Sequence, residues 1–182
     1  MAPWFNVRKA AQAAAFFALK EGGQINVLKL TKLIYLADRR FMSQYDAPIL
    51  GDRLVSMDHG PVNSRTLNYI NGTAESDDWN AHIADRAGHF VGLSNPAIQI
   101  DDLDELSDAE LQALEDVWGQ FGHMDRFELR DWTHKNCPEW EDPHGSMIPI
   151  RYAQVFKFLG KVNAKELEER VAEERHILAH FG

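Results

Sequence analysis

The chain has 182 residues, a length that suits one ordinary domain with its own hydrophobic core. Hydrophobic residues make up 45% and charged residues 26%, which matches globular averages and excludes a largely disordered chain. With 19 basic and 28 acidic side chains the net charge is −9, which opposes binding to nucleic acid. No apolar stretch approaches the about 18 residues of a membrane span, so no membrane contact is expected.

Two further features favour a cytoplasmic protein. The N-terminus has no charged segment followed by an apolar block and a cleavage site, so no secretion signal is recognised. The one cysteine, Cys137, cannot form an internal disulfide, which agrees with a reducing compartment. A small, semi-buried residue is favoured over a nucleophile at this position, because no adjacent base can be identified.

Charge is distributed unevenly along the sequence. Residues 1–40 carry seven basic and two acidic side chains, whereas residues 101–116 carry eight acidic side chains and no basic one. Solvated faces are the simpler interpretation, and a surface that steers a charged partner protein is the alternative.

The first half of the chain predicts a central helix, an alanine-rich helix before it and a third helix after it. Apolar residues at spacings of three and four predict a helix over residues 28–41, with Asn26 as its N-cap. An alanine-rich helix over residues 6–21 precedes it and ends at Gly22-Gly23. A third helix is predicted from Pro61 to Ile70, because proline suits the first turn of a helix.

The second half predicts a hairpin and four more helices. Residues 79–93 are typical of a small hairpin that turns at residues 85–88. Two of the predicted helices begin with capping boxes, at Ser107 and Asp125. The other two begin near Ile150 and at Asn163. The predicted fold class is therefore mainly α: a compact multi-helix bundle around a central apolar helix, with a small antiparallel β-hairpin.

Three sequence blocks follow one another in a distinctive order. They are LKLTKLIYLA at residues 28–37, SMDHGPV at residues 56–62, and a third block that runs from Leu106-Ser107 through ELRDWTH at residues 128–134 to Pro138-Glu-Trp140. Together they resemble the SocA-like antitoxin domain, also called the Panacea domain, which also occurs in phage-associated proteins of the GepA type. The chain departs from the family pattern at Met57, Trp132 and Glu139.

The resemblance implies a mostly helical antitoxin that neutralises a cognate toxin encoded nearby by binding it directly. The SocA member is also described as an adaptor that hands its toxin to the ClpXP protease. Neither a reaction nor a cofactor or metal comes with the resemblance. It implies a SocA-like domain over residues 1–160, and residues 161–182 are then a C-terminal helix, packed on the domain or at an interface.

The candidate partner-binding surface consists of two segments and Trp140. The segments are called the first corner, at residues 58–62, and the second corner, at residues 131–134. The N-terminal basic helices are a second candidate surface. A structural role is favoured over catalysis at both corners, since Gly60-Pro61 suits a helix start and Thr133 and His134 can bond backbone carbonyls near a helix end. The surface comprises Asp58, His59, Gly60, Pro61, Val62, Asp131, Thr133, His134 and Trp140.

Two alternatives belong to other functional classes. His59, Asp131 and His134 can be read as the base or metal ligands of a metal-dependent hydrolase. The last helix has a narrow apolar stripe, which is also consistent with a self-associating scaffold protein that forms a homodimer through this helix.

Overall fold

Residues 2–182, as described by a computed structural model, contain eight α-helices and five short β-strands. The helices are α1 (Val7–Lys20), α2 (Val27–Tyr45), α3 (Ser64–Ile70), α4 (Asp77–Asn80), α5 (Asp108–Phe121), α6 (Arg126–Asn136), α7 (Tyr152–Phe158) and α8 (Ala164–Phe181). The strands are β1 (Gln24–Asn26), β2 (Leu54–Met57), β3 (Gly60–Asn63), β4 (Phe90–Gly92) and β5 (Ile148–Ile150). The predicted mainly helical class with a small antiparallel component is confirmed.

Helix α2 is the centre of the fold. The Asn26 side chain caps its first turn by accepting a hydrogen bond from the Lys29 backbone N–H, as predicted. All residues from 29 to 38 are buried, so this part of the helix has no solvent-facing side. Helix α1 approaches α2 closely because its buried face consists largely of alanines.

The strands correct two sequence-based predictions. Residues 60–63 form β3, which pairs with β2, so the predicted helix start at Gly60-Pro61 is wrong and α3 begins at Ser64. The predicted hairpin over residues 79–93 is partly wrong. The segment starts inside α4, and only two isolated bridges join its two halves. Its strand β4 forms a regular ladder with β1 and not with the other half of the segment. The hairpin with a regular ladder is β2–β3, in a sheet of order β3-β2-β5.

The later helices begin where local signals place them. Ser107 with Glu110, and Asp125 with Glu128, form complete capping boxes at the starts of α5 and α6. Helix α8 packs on α7 through Leu167 and Val171. Within residues 2–182, no helix is both long and apolar enough to span a bilayer.

Basic side chains of α1 and α2 form ion pairs with acidic side chains of residues 104–116 of the same chain. Arg8 contacts Asp104 at 2.9 Å, and Lys9 contacts Glu110 at 2.8 Å. The remaining pairs of this set are Arg8 with Glu105, Lys20 with Glu115 and Arg40 with Asp116. The uneven charge distribution therefore joins helices within the fold, and a contact surface on the basic N-terminal helices stays a prediction.

Asp38 joins α2 to two later segments from inside the core. Its Oδ1 accepts hydrogen bonds from the backbone N–H groups of Ile49 and Leu50, at 2.7 and 3.0 Å. Its Oδ2 accepts one from the Asn63 side chain at 2.7 Å. Burial raises the pKa of Asp38 to about 7, and the hydrogen bonds from these three residues oppose that rise.

We expect the substitution Asp38→Ala to lower the free energy of unfolding by about 2–4 kcal/mol, because it leaves buried N–H donors without an acceptor. The matched control is Asp116→Ala, which removes a carboxylate from a more exposed pair and costs less than about 1 kcal/mol. Urea unfolding followed by circular dichroism measures both. Equal losses in the two variants would contradict the role given to Asp38.

Candidate partner-binding site

The hairpin β2–β3 presents the first predicted corner. Met57 and Gly60 are paired across the hairpin, which leaves Asp58 and His59 as its exposed turn. Asp58 Oδ1 accepts a hydrogen bond from the Gly145 N–H at 2.8 Å, so the turn is fixed to the loop before β5. Pro61 and Val62 are buried in β3.

Gly60 brings the first corner against the second one. Its φ of +109° is unfavourable for side-chain-bearing residues, and a Cβ atom there would lie 2.8 Å from Thr133 Oγ1. The same Cβ would lie 3.2 Å from both Cε and Nζ of Lys32. The absence of a side chain at Gly60 therefore lets β3 pack directly on α2 and α6.

The end of α6 forms the second corner. Thr133 Oγ1 donates a hydrogen bond to the Arg130 carbonyl at 2.7 Å, which confirms the predicted bond to a backbone carbonyl. The His134 ring instead stacks on the Trp140 ring, with centroids 3.9 Å apart and planes at 11°. Trp140 Nε1 donates to the Met57 carbonyl at 2.8 Å, so Trp140 joins the two corners.

Glu139 holds the loop that carries Trp140, and the sequence did not predict this role. Its buried carboxylate accepts hydrogen bonds from Tyr35 Oη and Arg39 Nε, each at 2.7 Å. Tyr35 and Arg39 are one turn apart on α2, which places both donors on one side of the helix. One of the three residues by which the chain departs from the family pattern is thus the anchor of this loop.

Lys32 is the second residue that sequence reasoning missed. It is 0% exposed, and its Nζ donates to the Pro61 carbonyl at 2.7 Å. Among the ion pairs formed by residues 2–182, none includes Lys32. Burial lowers the pKa of Lys32 to about 7, and the neighbouring Cys137 partly offsets this effect.

The chemistry of Cys137 and Asp131 is unfavourable for catalysis. Burial raises the pKa of Cys137 to about 12, whereas a nucleophilic thiol needs a lowered pKa. Asp131 is exposed and accepts from its neighbour Arg130 at 2.8 Å, which lowers the pKa of the carboxyl. In the part of the chain that the structure describes, no three His, Cys, Asp or Glu residues are arranged as metal ligands. His59, Asp131 and His134 therefore do not form such a group.

A groove of about 590 Å³ opens beside the two corners. It lies between the first turns of α2 and α6, the β2–β3 turn, α3 and two surface loops. Of the predicted surface, Asp58, His59 and Val62 line the groove. The lining residues that the sequence analysis did not assign to the surface include Lys32, Leu67, Arg86, Arg126 and Phe127.

The two corners thus pack against each other on a mainly helical domain. Residues 30–141 match the family described as "Antitoxin SocA-like, Panacea domain". Because the match spans more than half of the chain, the protein belongs to this family, and the predicted membership is confirmed. No curated protein sequence and no solved structure matches the chain. Both corners, Lys32 and Glu139 lie inside the matched range.

We expect the substitution Gly60→Ala to destabilise the protein by about 2–4 kcal/mol, because an unfavourable φ and a contact with Thr133 are combined. Gly88→Ala is the control, since Gly88 also has positive φ but has nothing within 4 Å of the added methyl group. That control costs about 1 kcal/mol from backbone conformation alone. Thermal and urea unfolding measure both, and equal losses would argue against the close approach at Gly60.

The stability of the protein should also depend on the titration of Lys32. The pKa of Lys32 is about 7 in the folded chain and 10.5 in the unfolded chain, so the unfolded state binds more protons between these values. The free energy of unfolding therefore rises with pH, by up to about 1.4 kcal/mol per pH unit. The window is pH 7 to 9, because the raised pKa of Cys137 adds an opposite slope at higher pH.

The variant Lys32→Met isolates this effect, because it keeps the length of the side chain and removes the titrating amine. We expect urea-unfolding profiles in which wild type gains stability relative to the variant from pH 7 to pH 9. Parallel profiles would show that Lys32 titrates normally in the folded protein.

Proposed function

We propose that this protein is an antitoxin that neutralises a cognate toxin by binding it directly, without catalysing a reaction. One observation carries the proposal: the family match spans residues 30–141 and contains the whole candidate surface. The proposed contact surface joins the β2–β3 turn, the end of α6, Trp140 and the adjoining groove. The partner is a toxin protein encoded near the antitoxin gene, and the proposed location is the cytoplasm.

The arrangement of the surface supports binding by shape. Gly60 packs on Thr133 and Lys32. Trp140 donates a hydrogen bond to the Met57 carbonyl, and the buried Glu139 anchors the loop that carries Trp140. A surface fixed by buried contacts loses little conformational freedom when a partner binds, which favours affinity. His59 and Asp131 remain exposed on it and are available to a partner.

Co-expression with the product of the adjacent open reading frame tests the proposal. We expect wild type to restore growth and to co-purify with the toxin. The double variant His59→Asp, Asp131→Lys changes two exposed side chains and should weaken binding at least about tenfold. Glu173→Lys, exposed on α8 and outside the groove, is the control and should bind as wild type does. Toxicity that wild type does not relieve would contradict the proposal.

Toxin abundance separates direct blocking from delivery to a protease. A toxin that is blocked stays at full level in co-expressing cells, whereas a toxin handed to a ClpXP-type protease is depleted, and its level recovers in a strain without that protease.

The scaffold alternative predicts a homodimer through α8, whose C-terminal end exposes Ile177, Leu178 and Phe181. Elsewhere α8 is attached to its own chain, since Arg175 donates to the carbonyls of Gly51 and Asp52. Mass in solution at increasing protein concentration separates this alternative from a monomeric antitoxin.

A further inference from the structure

A buried lysine is among the residues that line the groove beside the β2–β3 turn. Lys32 lines the groove, yet the side chain is buried and uses one hydrogen bond, to the Pro61 carbonyl. An ammonium group has three N–H donors, so two remain for other acceptors. A buried charge without a counter-ion is costly, and a carboxylate that entered the groove would remove that cost.

Lys29, three residues earlier on the same helix, differs from Lys32 because it has an ion-pair partner within the chain. Lys29 is also buried, but its Nζ contacts Glu21 at 2.7 Å and the Gly122 carbonyl at 2.7 Å. Lys29 therefore has its carboxylate within the chain and does not line the groove. Lys32 lacks such a partner, which marks it as the lysine available to an external acid.

The entrance of the groove is basic although the chain as a whole is acidic. Arg86, Arg126, His59 and His89 line it, with Asp58 as the lining carboxylate. Asp58 already accepts the Gly145 N–H, and Arg86 donates to Asn71 Oδ1 and the Gly88 carbonyl. Within residues 2–182, neither Arg86 nor Arg126 takes part in an ion pair. The local charge is thus complementary to an acidic ligand.

Apolar side chains form much of the remaining wall. Val27, Leu28, Val62 and Leu67 line the groove, and Phe127 at its entrance is 47% exposed. The Arg126 guanidinium lies over the Phe127 ring, 4.5 Å from its centroid, so the cation and the exposed ring form one face. A ligand that matches this wall needs apolar groups next to its acid.

We propose that the groove binds a segment of the partner protein that places one Asp or Glu carboxylate on Lys32 and neighbouring apolar side chains on Phe127 and Leu67. This inference rests on the proposed antitoxin function and gives its partner a stated chemistry. The buried lysine supplies a directional, charge-assisted contact that a neutral side chain cannot replace. Arg86 and Arg126 attract the acidic segment during association.

The test uses purified full-length protein and the product of the adjacent open reading frame, with the dissociation constant measured by calorimetry. Three variants alter the groove: Lys32→Met at its base, and Arg126→Glu and Phe127→Ala at its exposed entrance. Each has a matched control outside the groove. The controls are Lys29→Met on the same helix, Arg53→Glu on an exposed loop, and Phe158→Ala, whose ring is also 47% exposed.

We expect each groove variant to weaken binding at least about tenfold and each control to stay within about twofold of wild type. Thermal melts verify that every variant is folded. If Lys32→Met fails to fold, Arg126→Glu and Phe127→Ala, both on the surface, still decide the outcome. Higher salt should weaken wild-type binding more than that of Arg126→Glu.

A second measurement identifies the carboxylate on the partner. Each Asp or Glu of the toxin is changed to its amide, and one such change should weaken binding to wild type but not to Lys32→Met. Wild-type binding that all three groove variants retain would overturn the groove assignment and leave the antitoxin function standing. No binding by wild type would overturn both.

Discussion

The burial of α2 on all sides is the constraint on which the rest of the structure depends. A polar side chain on such a helix has no water to bind and must find its partner inside the protein. Asp38 holds the segment at residues 49–50, Tyr35 holds Glu139, and Lys32 holds the Pro61 carbonyl. These contacts join two loops and strand β3 to the core helix. The candidate surface is therefore built by the polar residues of the core helix as much as by its apolar ones.

Much of the helical framework could be predicted because its signals are local. Asn26, Ser107 and Asp125 begin helices through hydrogen bonds to residues two or three positions later, and that spacing is visible in the sequence. The strand β3 was misassigned because its first two residues suit two different structures. Gly60-Pro61 suits a helix start, but it also suits an edge strand, which is hydrogen-bonded on one side only. In the fold this segment pairs with β2 at the edge of the sheet and is therefore a strand.

The candidate site could be predicted only in part, because several of its contacts join residues that are far apart in the sequence. The corners at Gly60 and Thr133 were visible as motifs, and the structure brings them together. The position of Lys32 was not visible, because a lysine among leucines on a helix is ordinarily expected to extend its amine to water. Its burial depends on a carbonyl 29 positions away. Glu139 similarly depends on donors about 100 positions earlier, a separation at which sequence periodicity carries no information.

The groove combines a base set by the core with an entrance made of exposed side chains. Lys32 is held by the packing of three elements, so few substitutions are tolerated there without loss of stability. Arg126 and Phe127 lie on the first turn of α6 and can change with little effect on folding. Because the two parts of the groove are separate in this way, surface substitutions alone can change the protein partner during evolution while the fold stays constant.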